Sequence, residues 1–133
     1  MTPNKQIKII SPISVILPRK TKPNRKIMLN LNNYRNWCFP IAFQAKQAYT
    51  EALKLSLRGL KLKKGIDLRF VLYKPSNRKS DRSNVLSIVE KFFCDSLVHY
   101  KCIPDDSDEF IKSTHYETGG VDKSYPRVEI IIT

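Results

Sequence analysis

Apolar positions along this chain alternate, then recur at helical spacing, then alternate again, and this rhythm divides it into elements. Residues 6–17 carry Ile7, Ile9, Ile10, Ile13, Val15 and Ile16, interrupted by Lys8 and Pro12. They predict a strand broken or bulged at the proline. Ile27 to Leu31 predicts a second strand. Asn32 to Trp37 supplies capping side chains, and Pro40 suits a first helical turn. A helix is therefore expected from Ile41, with Ala45, Ala48, Tyr49, Ala52, Leu53 and Leu57 as its core face and Gly59 stopping the run. Ile66 to Tyr73 alternates as a strand, Pro75 to Ser80 reads as a polar loop, and a second helix is expected from about Ser83 to Tyr100. Asp105 to Asp108 reads as a turn, Phe110 to Tyr116 as a strand, Gly119-Gly120 as a turn and Arg127 to Thr133 as a closing strand.

The order β-β-α-β-α-β-β predicts an α/β or α+β fold: a single mixed sheet of about five strands with two main helices on one face. At 133 residues the chain is expected to form one domain, 1–133, and 41% hydrophobic residues suffice for one core. No apolar run approaches the roughly 18–20 residues that span a bilayer, and no signal-peptide pattern opens the chain, so no membrane partner and an intracellular location are expected. Cys38, Cys94 and Cys102 form no CxxC and are read as reduced, mostly structural thiols. Cys94, His99, Cys102 and His115 follow no zinc-finger spacing.

Charge changes the picture. The chain carries a net charge of +12, yet residues 1–80 hold eighteen Lys/Arg against Glu51 and Asp67, while residues 81–133 hold six against ten acids. A basic body suits a polyanion. The candidate phosphate contacts are Arg19, Lys20, Lys22, Arg25 and Lys26 between the first two strands, Lys61, Lys63 and Lys64 after the first helix, and Arg78, Lys79 and Arg82 before the second.

The second helix is the most informative segment. At 100° per residue Asn84, Ile88, Lys91 and Asp95 fall within about 60° of one another, away from Val85, Val89, Phe92 and Phe93. One face is expected in the core, and another to present an amide, an ammonium and a carboxylate in a line. Lys91 and Asp95 read equally as an i,i+4 ion pair on a solvated face. Asp81 precedes the helix and Asp105-Asp106 follows it. If the chain returned Asp105-Asp106 to the first helical turn, several carboxylates would share one place, which favours a cation. Oxygen ligands of this kind suit Mg²⁺ beside a phosphate.

Three motifs carry a resemblance: Asp81-Arg82-Ser83-Asn84, then Lys91-Phe92-Phe93-Cys94-Asp95-Ser96-Leu97, then Ile103-Pro104-Asp105-Asp106-Ser107. In this order they resemble the D-x-D-N, K-x-x-x-D-x-L and D-D motifs of the RusA family of Holliday junction resolvases, especially its phage-type members. Pro126-Arg127-Val128-Glu129-Ile130 is similar to that family's final strand. The resemblance implies a RusA-like homodimer that uses Mg²⁺, or Mn²⁺ in its place, to resolve four-way DNA junctions by paired nicks, without a small-molecule cofactor. It implies a phage or prophage protein working in bacterial cytoplasm. By position, Asp81, Lys91, Asp105 and Asp106 take the catalytic places, with Asp81, Asp105, Asp106, Asn84 and Asp95 around the metal. Ser83 stands where the family has its second aspartate. The interval from Asn84 to Lys91 is one helical turn longer than the family's, so anchoring on Asn84 puts Ser87 in the lysine place.

A second reading, favoured by Ser83, is a relative that binds branched DNA with weak or no cutting. A third is a basic interaction protein whose acidic turn meets a protein partner.

Overall fold

The computed structural model describes residues 6–79 and 81–133, and Ser80, the last residue of the expected polar loop, lies outside them. The chain runs through β1 (Ile7–Ser11), β2 (Ser14–Leu17), β3 (Arg25–Met28), α1 (Leu31–Asn36), α2 (Phe39–Ala52), α3 (Lys54–Leu57), β4 (Ile66–Lys74), α4 (Arg82–His99), β5 (Ile111–Val121) and β6 (Arg127–Ile132). This is an α+β fold, but the described strands form two sheets instead of one: four strands ordered β1-β6-β4-β5, and the separate hairpin β2-β3. Pro12 explains the division. A residue without an amide hydrogen cannot continue a ladder, and the first apolar run splits there, β1 pairing with β6 and β2 with β3.

Local signals set the other boundaries. Asn30 ends the second strand earlier than its apolar residues suggest, because its side chain accepts from the Asn33 amide at 2.7 Å and caps α1. Pro40 lies in the first turn of α2, as its fixed φ favours. The long helix expected beyond it is divided at Leu53 into α2 and the single turn α3. Gly59 and Gly65 then adopt φ of 81° and 79°, where a Cβ is strained.

β4 is central in the main sheet, antiparallel to β6 and parallel to β5. Leu68, Phe70 and Leu72 turn toward α4, where Phe70 meets Phe93 edge-to-face with 6.0 Å between ring centroids. Phe92 packs on Tyr49 of α2 and Tyr34 of α1, so α4 is the hub between the sheet and the other helices. The opposite sheet face carries ion pairs, Lys8 and Arg127 with Glu129, and Arg69 with Glu117.

β5 runs on through Gly119-Gly120, where a turn is expected from sequence. The ring of Tyr73, on β4, lies where a Cβ of Gly119 would sit, 2.6 Å from its Cζ. The glycine is therefore needed for close approach and not for a reversal of the chain. No helix among the described residues is long and apolar enough to cross a membrane.

Candidate functional site

α4 ends in a Schellman arrangement. The Cys102 amide donates to the Leu97 carbonyl at 2.8 Å and Lys101 to Val98 at 3.0 Å. Lys101 itself takes the left-handed φ of 60°. This closure turns Cys102 and Ile103 into the core and leaves Asp105 and Asp106 exposed beside the last turns of α4. Asp105 Oδ1 then accepts from the Ser107 amide at 2.8 Å, shaping the acidic turn. Hydrogen bonds from the Ser107 side chain and amide hold the Asp105 carboxyl below the ordinary range, so it is ionised at neutral pH.

Two adjoining recesses meet at Asp95 and Asp106. The larger, of about 690 Å³, lies between α2 and α4 and takes in Phe43, Lys46, Glu51, Asp95, His99 and Asp105 besides Asp106. The smaller holds Glu90, Lys91, Cys94, Asp95, Asp106 and Asp108. The fold thus brings Lys91, Asp95, Asp105 and Asp106, four of the residues singled out in the sequence, to two adjoining recesses along the C-terminal half of α4 and the turn after it. Asp95 is held by the Lys46 ammonium at 3.0 Å. Glu90 accepts from the Tyr116 hydroxyl. The Cys94 thiol is pushed up to about 12 by burial, with the carboxylates of Glu90, Asp106 and Asp95 adding to it.

Asp81 and Asn84 are elsewhere. They lie at the opposite end of α4, in a recess with Asn32, Lys79, Ser83 and Ser87. The reason is topological. β5 is parallel to β4, and α4 is the crossover between them, so a residue just after β4 and residues just before β5 must stand at opposite ends of the sheet. Measured along α4, Asp81 lies fourteen residues before Asp95, a separation of roughly 20 Å. Asn84 instead accepts from the Asn32 amide at 3.3 Å and ties α1 to α4. The polar line expected along α4 is also interrupted, because Ile88 is 2% exposed and belongs to the core.

Among the described residues no three His, Cys, Asp or Glu converge closely enough to cage a metal ion. A Mg²⁺ ion bound near phosphate needs only one or two carboxylates, with water and phosphate oxygens as its remaining ligands. The oxygen-only donors Asp105 and Asp106, exposed beside Asp95, meet that lesser requirement.

The basic residues are distributed over the surface. Arg19, Lys20, Lys22, Arg25 and Lys26 are exposed on or beside the connection of the β2-β3 hairpin. Arg78, Lys79 and Arg82 are exposed around the start of α4. Lys61 donates to the Lys101 carbonyl at 2.9 Å and Lys64 pairs with Glu109, which fastens that basic segment, Lys63 included, to the loops around the acidic turn. Sequence reasoning missed Lys46, Glu51, Glu90 and Asp108 around the acidic end. Lys46 and Glu51 could not be found from spacing, since α2 is brought to α4 only by tertiary packing.

Compared with known proteins, the chain matches no protein-family model and no curated protein sequence. The likeness to RusA resolvases therefore rests on the three motifs of residues 81–107 themselves.

Proposed function

We propose that this chain is a metal-dependent endodeoxyribonuclease of RusA type that acts on branched DNA as a homodimer. The observation that carries this reading is that Lys91 and Asp95 of the helix motif and Asp105 and Asp106 of the acidic turn line two adjoining recesses along the C-terminal half of α4, in a chain of net charge +12. Asp105 and Asp106 would hold Mg²⁺, with Asp95 beside them. When bound, such an ion polarises a phosphoryl oxygen and lowers the pKa of a bound water. Lys91 supplies a fixed positive charge next to Asp95 and Asp106, suited to a phosphate oxygen that gains negative charge during cleavage. Lys46 restrains Asp95. The hairpin cations and those before α4 draw the DNA backbone in. Two matched nicks need two such sites at a fixed spacing, which a C2 dimer provides.

The test is a labelled four-way junction and a linear duplex incubated with and without Mg²⁺. Matched nicks in opposing strands of the junction, absent without the metal and absent from Asp106→Asn, are expected. Undiminished cutting by Asp105→Asn and Asp106→Asn would remove the acidic turn from the chemistry.

A second reading has its own support. Ser83 occupies the expected aspartate position, and Asp81 stands far from the acidic turn. A protein that binds junctions without cutting them would show salt-sensitive, junction-selective binding and no Mg²⁺-dependent product.

A further inference from the structure

Phe39 and Phe43 lie one turn apart on the first half of α2, their ring planes 16° from parallel and their centroids 6.2 Å apart. They are 80% and 51% exposed, large rings left in water where most of the chain's aromatic residues are packed. Phe43 also lines the recess that holds Asp95, Asp105 and Asp106.

We infer that Phe39 and Phe43 form a stacking platform for an unpaired base of the DNA strand whose phosphate enters the acidic recess. The inference rests on the nuclease reading above and specifies how that site grips its substrate. Size favours a base over a second protein surface. At about 200 Å² per aromatic side chain, the two rings offer roughly 250 Å² of exposed surface, against about 800 Å² per partner in a stable protein interface. That area suits the face of one or two bases. The net charge of +12 attracts a polyanion to the molecule as a whole, while the recess itself sets Lys46 against Glu51, Asp95, Asp105 and Asp106, so a phosphate would enter it together with a bound cation. Stacking on phenylalanine also reads no sequence, because every base has a π-face. It therefore suits recognition of strand geometry, where a base at a branch point leaves its stack more easily than one inside a duplex.

The experiment uses a four-way junction carrying 2-aminopurine at the branch point, with Ca²⁺ in place of Mg²⁺ so that binding is read without cutting. Wild-type protein is expected to change the 2-aminopurine emission. Phe39→Ala/Phe43→Ala is expected to lose that change and to bind the junction about 5- to 150-fold more weakly. Phe43→Trp is expected to restore both. Both positions are exposed, so folding should survive, and an unchanged thermal melt verifies it.

Equal affinity and equal emission in the double alanine variant would overturn the platform while leaving the nuclease reading intact. A shift from dimer to monomer in sedimentation, with unchanged emission, would assign the pair to a contact between copies and overturn it as well. Wild-type protein that binds neither junction nor single strand would sink both ideas together.

Discussion

The ammonium of Lys46 on α2 stands 3.0 Å from the carboxylate of Asp95 on α4, so an ion pair between two helices stands at the acidic recess. Both side chains remain partly solvated, which limits such a pair to about 1 kcal/mol of stability. Lys46→Met is expected to change the urea midpoint by no more than that. It also frees Asp95, so under the proposed mechanism the Mg²⁺ concentration for half-maximal cutting should fall. A metal titration of junction cleavage reads the second effect, and an unchanged or raised midpoint would detach Asp95 from the metal.

The two ends of α4 make opposite predictions. Asp106→Asn should reduce cutting at least a hundredfold, as expected when a charge that holds a catalytic ion is removed. Asp81→Asn should leave cutting within about threefold, because roughly 20 Å of helix separates it from Asp95 and the acidic recess. Single-turnover rates on the junction decide between them. Equal, severe losses would mean that Asp81 reaches an acidic turn after all, through a second copy or a different arrangement of α4.

Lys101 pays for the end of α4 with a left-handed backbone at φ 60°. A glycine there adopts the same angle without Cβ strain, and the Lys61 contact is to the backbone carbonyl, which survives the change. Lys101→Gly should therefore stabilise the fold by about 1 kcal/mol, a rise of a few degrees in Tm. A lower Tm would show that the lysine side chain contributes more than its backbone costs.

Gly119 should not tolerate alanine. The added Cβ would meet the Tyr73 ring, over which the Arg127 guanidinium lies 4.1 Å from the centroid. Gly119→Ala is expected to cost about 1–3 kcal/mol by overpacking. In Tyr73→Ala the same change should be nearly neutral, so a double-mutant cycle in urea is the measurement, and additive costs would refute the contact.

Glu129 gives a pH dependence with a definite sign. Its burial pushes the carboxyl upward, but hydrogen bonds from Arg127 and Lys8 and their charges outweigh that and leave it below its ordinary value of 4.5. A folded-state value below the unfolded one adds stability above pH 4.5 that is lost as pH falls through the depressed value. Glu129→Gln should thus be less stable than wild type at pH 7, with the gap closing as pH falls below 4.5 and through the depressed value. Thermal melts across that range test it, and a gap that widens in acid would reverse the sign.

Much of this architecture was legible from local signals. Pro12, Pro40 and Gly59 each punctuate the chain through backbone chemistry that needs no tertiary context. α4 was legible because its apolar spacing covers eighteen residues. Gly119-Gly120 misled, since glycine permits both a turn and a close approach, and only the Tyr73 ring distinguishes them. The sharing of one helix face by Lys91 and Asp95 followed from helix spacing, but Asp105 and Asp106 were expected at the first helical turn and lie instead beside the later turns of α4. The exclusion of Asp81 did not follow from spacing, because it depends on β5 being parallel to β4, a pairing that residues 81–106 do not encode by themselves. Lys46 and Phe43 were hidden for a related reason: their role at the recess exists only once α2 has packed against α4.

The length of α4 has a consequence for footprint. Its eighteen residues measure about 27 Å, and about 20 Å of that separates Arg82 from Asp95, close to the axial rise of six nucleotide steps in a duplex at about 3.4 Å each. If the nuclease reading holds, a DNA backbone with one phosphate at the recess beside Asp95 would bring another beside Arg82 some six nucleotides away. On the nuclease reading the helix would act as a ruler, and the shortest junction arm that engages both places should be about six base pairs long.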